Sequence, residues 1–171
     1  MKNYFFVSVV LLCALVVAQD SMKPASPPAA AKSAAKPAPK NAFTPDQIPY
    51  GPAPAFLQPG AALAVLEGNP MGATGDYTVR LKIPDGYKIA PHWHPKRENV
   101  TVISGTLKVG MGDKFDESKM MSFPATSFAY LDPSMHHYAM SSGETIVQIH
   151  GMSPLKFNYV DPNDDPSKKT P

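Results

Sequence analysis

Between Pro49 and Pro162 the chain is a succession of short apolar runs divided by Gly, Pro and Asp. In Tyr77-Thr78-Val79-Arg80-Leu81-Lys82-Ile83 apolar and polar positions alternate throughout, which predicts a strand with one buried face. Runs rich in β-branched and aromatic residues predict strands over Asp76–Ile83, Glu98–Ser104, Glu144–Gly151 and Leu155–Val160. No window sustains the spacing of an amphipathic helix. Many short strands at close spacing predict an all-β, antiparallel sandwich or barrel in a single domain.

The two ends of the chain break this pattern. An apolar run from Tyr4 to Ala18 follows Lys2 and ends Val16-Val17-Ala18 before Gln19, the layout of a secretory signal peptide cleaved after Ala18. The run is shorter than the roughly 20 residues that span a bilayer, so no stable membrane span is expected. Acylation at Cys13 would need a small residue before it, and Leu12 is not small. Residues 19–43, rich in Ala, Pro, Lys and Ser, predict a solvated, extended linker. The folded domain is expected over 44–162, with 163–171 as a solvated tail. Secretion or a periplasmic location follows from the leader.

Composition then narrows the chemistry. Cys13 is the only cysteine, so the mature chain would offer no disulfide, no thiol nucleophile and no soft metal ligand. Export would also remove nicotinamide and nucleoside triphosphates as partners. The net charge of +2 misleads, because Lys2, Lys23, Lys32, Lys36 and Lys40 all precede the folded region. From Asn41 onward 11 basic residues face 13 acidic ones, a net of −2. No basic stripe remains for a phosphate backbone, which excludes a nucleic-acid partner.

The candidate chemistry lies in Gly86-Tyr-Lys-Ile-Ala-Pro-His92-Trp-His94-Pro-Lys-Arg-Glu98-Asn-Val-Thr-Val-Ile-Ser-Gly105. Residues two apart on a strand point to one face, about 6.6 Å apart, so His92 and His94 can aim both imidazoles at one point. After a turn at Pro95 and Lys96, Glu98 starts a new strand and can return its carboxylate to that point. Val100 and Val102 share its face and would wall a cavity, while Trp93 points away. Two imidazoles and a carboxylate buried together without a cation would be costly. A further ligand must come from a distant strand, from among His136, His137 and His150.

This segment resembles the first motif of the cupin superfamily, G-x5-H-x-H-x3-E-x6-G, matched at Gly86, His92, His94, Glu98 and Gly105. The second cupin motif, aligned on His137, meets Thr126, Asp132, Ser134 and Ser141 at its other fixed positions, so only the histidine matches. The resemblance, to small single-domain cupins of the ChrR-like kind, covers about Pro49 to Pro162. It implies an antiparallel jelly-roll barrel with one metal ion held by His92, His94, Glu98 and His137. A slip of one residue would turn His136 inward in place of His137. His150, Tyr130 and Gln148 are weaker candidates for the pocket, and Met120, Met121, Met135 and Met140 for flexible packing.

Three imidazoles and one carboxylate suit a divalent transition metal: Fe, Mn, Ni or Cu with open positions, or Zn. The expected activity is that of a metal-dependent oxidoreductase or dioxygenase acting on a small phenolic, keto-acid or carbohydrate substrate, with Glu98 doubling as a catalytic base. The alternative is a non-catalytic, metal-containing module that holds a saccharide or other small ligand. Pairing of sheet edges into a homodimer is the family-level expectation for the partner.

Overall fold

The computed structural model describes residues 41–169. The expected leader with Cys13, and residues 19–40 of the expected linker, lie outside the described residues. Nine strands follow one another: β1 (Gly51–Pro52), β2 (Ala62–Gly68), β3 (Asp76–Ile83), β4 (Lys88–Trp93), β5 (Glu98–Met111), β6 (Met121–Pro124), β7 (Phe128–Leu131), β8 (His137–Met152) and β9 (Asn158–Tyr159). All their pairings are antiparallel, as expected for an all-β jelly roll. Among the described residues no helix is long and apolar enough to cross a membrane.

The alternation in β3 works as its sequence dictates. Tyr77, Val79, Leu81 and Ile83 are buried in the core, while Thr78, Arg80 and Lys82 lie outside. On the outer face the Thr78 hydroxyl donates to the Glu67 carboxylate at 3.1 Å, and Arg80 Nε donates to the Gln148 amide oxygen at 3.1 Å.

The long strand β8 organises the barrel. Its C-terminal half pairs with β3 on one edge and with the start of β5 on the other; its N-terminal half pairs with β4 and the end of β5. Between the halves the register shifts around Ser104, where Gly105 takes φ +75° and a Cβ would strike the Glu144 carbonyl. The glycine lets the paired strands bend and curl the sheet onto itself. The expected strands Glu98–Ser104 and Glu144–Gly151 are therefore only halves of β5 and β8. In the distal halves Gly110 faces Tyr138, whose fully buried ring fills the space a side chain at Gly110 would need.

One expectation near the C-terminus needs correction. The run Leu155–Val160 pairs only at β9, where Asn158 and Tyr159 lie against Trp93 and His92 of β4. Of its other residues, Leu155 and Phe157 turn their side chains to the core, while Lys156 is exposed. Residues 163–169, the described part of the expected solvated tail, are exposed or half-buried and carry two 3-10 turns. Asp161 and Asp165 each accept from the backbone N–H two residues on, at 2.9 and 3.0 Å, which satisfies donors a free tail would leave to water.

Candidate metal centre

Each predicted ligand is carried by the end of a strand. His92 is the fifth residue of β4 and lies directly across from His137, the first residue of β8. His94 follows just past the end of β4. Glu98 opens β5 opposite Gly151, where a Cβ would come within 2.8 Å of the Arg97 carbonyl; glycine permits that close crossing. All four side chains are buried.

The three imidazoles are oriented by one device. His92 Nδ1 lies 2.8 Å from the Ala90 carbonyl, His94 Nδ1 2.9 Å from the Lys156 carbonyl, and His137 Nδ1 2.9 Å from the Met135 carbonyl. A carbonyl only accepts, so each Nδ1 carries the hydrogen and each Nε2 presents a bare lone pair. A coordinating nitrogen from each of the three rings lies within 4.8 Å of the other two. Glu98 Oε2 closes against two of them, 3.7 Å from His94 Nε2 and 3.6 Å from His137 Nε2. These edges resemble the roughly 3.4 Å between ligands set tetrahedrally about 2.1 Å from an ion.

Electrostatics agree with that geometry. Burial lowers His92 well below its ordinary value, helped by the neighbouring His137 and His94. Burial also lowers His94, to about 4, and His137, against the pull of Glu98. The rings are thus neutral at neutral pH, the state that coordinates metal. Burial raises Glu98, because a carboxylate in hydrocarbon lacks water, and this outweighs the opposing pull of His137. His94 Nε2 is buried with no hydrogen-bond partner. An orphaned lone pair facing a desolvated carboxylate is the arrangement a divalent cation satisfies, so three buried histidines could hold such an ion.

The barrel has known counterparts. It matches the polyketide cyclase RemF from Streptomyces resistomycificus with a TM-score of 0.60 at 11% identity, over 74% of this chain and 89% of that one. An RmlC-like cupin from Shewanella frigidimarina matches with a TM-score of 0.51 at 15% identity, over 67% and 91%. The chain is a cupin by fold. A proposed acetylacetone dioxygenase from Methylibium petroleiphilum also shares the architecture, with a TM-score of 0.55 at 20% identity, over 77% and 89%. No family model matches the sequence, and no curated protein does either.

The weak second motif is explained by its backbone. Thr126 and Ser134 stand where the motif carries glycine, and they take φ +74° and +62°, the left-handed conformation that glycine adopts freely. The turn before His137 is therefore kept without the residue that usually marks it. Ser134 N–H donates to the His94 carbonyl at 2.9 Å, which ties that turn to the first motif.

Other candidates are placed elsewhere. His136 faces outward, 37% of its side chain exposed, with Nδ1 2.5 Å from Asp113 and its ring stacked 6.3 Å from Trp93. His150 is exposed, Gln148 holds Arg80 on the outer face, and Tyr130 lies under the Arg97 guanidinium at the surface. None of these lines the cavity, and neither do Met120, Met121, Met135 or Met140. Two contributors went unread. Phe157 stacks on His92 at 4.4 Å and meets His94 edge-on at 4.6 Å, and Phe56 backs it at 4.8 Å. Lys156 acts through its carbonyl, which no residue identity could announce. A signal for Phe157 was its place in the apolar run after Pro154.

His92, Glu98 and His137 form part of the wall of a cavity of about 60 Å³ inside the cupin barrel. That is several times what a buried water occupies by the same measure. Val100 and Val102 wall it, as their shared face with Glu98 requires.

Proposed function

We propose that this chain is an exported, metal-dependent cupin enzyme, an oxidoreductase or dioxygenase for a small molecule, with His92, His94, His137 and Glu98 holding one divalent transition metal. The observation that carries the reading is the convergence of three neutral, carbonyl-oriented imidazoles and one carboxylate at a cavity with room for a small molecule. The all-nitrogen-and-oxygen donor set suits Fe, Mn, Ni, Cu or Zn. A bound ion would supply Lewis acidity and, where redox-active, a route for electrons.

The chain's own residues do the rest. The Ala90, Lys156 and Met135 carbonyls hold the imidazoles in one tautomer, so no ring has to reorient. Burial has already lifted Glu98 toward proton affinity, which lets its carboxylate accept a proton from a molecule bound beside it. The hydrocarbon wall keeps water from competing.

The scarcity of acid–base groups favours one rival, a cupin that binds its ligand without turnover. Among the lining residues only the two histidines and Glu98 can exchange a proton. Oxygen uptake by protein loaded separately with each metal, over a substrate panel, separates the two. Consumption of oxygen with a change in substrate mass supports the enzyme; tight retention of a ligand of unchanged mass supports the binder. For export, a mature N-terminus at Gln19 by mass spectrometry is the expected result, and an intact Met1 in the purified native protein would refute it.

A further inference from the structure

The cavity is sharply divided. Its polar atoms cluster where His92, Glu98 and His137 meet, and Ser127 is the only other lining residue with a polar side chain. The remaining wall is hydrocarbon, from Leu81, Val100, Val102, Val147 and Ile149 through to Phe157. No lysine, arginine, asparagine, glutamine or tyrosine lines it. Phe128 belongs to the wall and is 55% exposed, marking where the cavity reaches solvent.

A bound molecule therefore meets partners at one end alone. A carboxylate carried on its body would leave water and find no counter-charge, and a hydroxyl there would find at most the single Ser127 hydroxyl. A desolvated polar group with no partner weakens binding far more than a missing hydrocarbon contact does. We infer that the cavity selects a small molecule whose polar atoms sit together at one end of an uncharged hydrocarbon body, and rejects saccharides and molecules with a second, body-borne charge. This rests on the metal reading only for the polar end; the hydrocarbon wall acts whether or not an ion is held. Of the substrates expected from sequence, it retains the phenolic class and sets carbohydrates aside.

The test compares ligands with one head and different bodies, on the full chain loaded with redox-silent Zn(II). Calorimetric titration of 4-methylcatechol, 4-(hydroxymethyl)catechol and 3,4-dihydroxybenzoate holds the paired oxygens constant. The methyl compound is expected to bind tightest, the hydroxymethyl compound about 10-fold to 100-fold weaker, and the carboxylate weaker still. Equal affinity for all three, or tighter binding of the carboxylate, overturns the inference while leaving the metal reading intact. Elemental analysis of the same samples judges that reading separately. Discrimination that persists in protein without metal supports the cavity inference; its loss there counts against it. A cation placed on the partly buried stretch of wall, in Val109→Lys, is expected to recover carboxylate binding at least 10-fold; a folded variant without that recovery counts against the proposal.

Discussion

His137 faces into the barrel, its Nδ1 tied to the Met135 carbonyl and its Nε2 beside Glu98, whereas His136, one residue earlier, faces solvent beside Asp113 and Trp93. Both imidazoles have a carboxylate within reach. Inside, burial outweighs the carboxylate and leaves His137 neutral, with a lone pair to offer. Outside, His136 and Asp113 remain in water, where an ion pair contributes little and shapes no cavity. The difference teaches that a carboxylate does not decide what a histidine does; the solvent around the pair decides it. A strand does the sorting, by sending adjacent side chains to opposite faces.

The largest way to break this contrast is to remove each ring in turn. His137→Ala should lower metal affinity by more than about 100-fold, beyond the usual effect of losing a mere orienting partner, while His136→Ala should keep a full equivalent of ion by elemental analysis. Next comes acid. The inner imidazoles lie below their unfolded values, so the folded, metal-free chain binds fewer protons and its stability is fully present above pH about 6.5. It should fall as pH drops toward 4, by on the order of 3 kcal/mol from His94 alone, read as the urea midpoint of unfolding. Glu98 works the other way, since its raised value means the folded chain holds that proton more tightly; Glu98→Gln should steepen the acid loss.

Phe157→Ala comes third. It should cost about 2 kcal/mol by thermal denaturation, below the range for a fully buried phenylalanine because Phe157 is only partly buried. It should also weaken metal binding roughly 10-fold by freeing the His92 ring. The smallest effect belongs to the outer pair. Asp113→Asn should change stability by less than about 1 kcal/mol and leave metal content unchanged.

Much of this was legible in the chain. The strand expected over Asp76–Ile83 is β3 to the residue, and His-x-His followed by Glu98 marked an inward-facing group on strand ends. Other parts were not, for definite physical reasons. The distal halves of β5 and β8 are held by Gly110 against Tyr138, a complementarity between residues far apart that local alternation cannot register. Thr126 and Ser134 hide a glycine-like turn because φ is a property of the fold and not of the residue name. The orienting groups of all three histidines are backbone carbonyls, identical at every position, so the sequence carries no mark of them. His150, Gln148 and Tyr130 looked plausible by residue type and lie on the outside of the barrel by strand parity or at its exposed edge.

The tie between His94 and the Lys156 carbonyl spans 62 positions, and Phe157 reaches back to Phe56 from the same late segment. During synthesis, all four side chains of the site leave the ribosome before the carbonyl that aims His94 and the Phe157 ring that packs on His92. A nascent chain ending between Met140 and Leu155 thus owns the composition of the site without the group that orients His94. On the proposed metal reading, full assembly of the site waits on completion of the polypeptide, and a protease trimming the chain after Pro154 would remove the His94 tie and the Phe157 ring while sparing all four side chains.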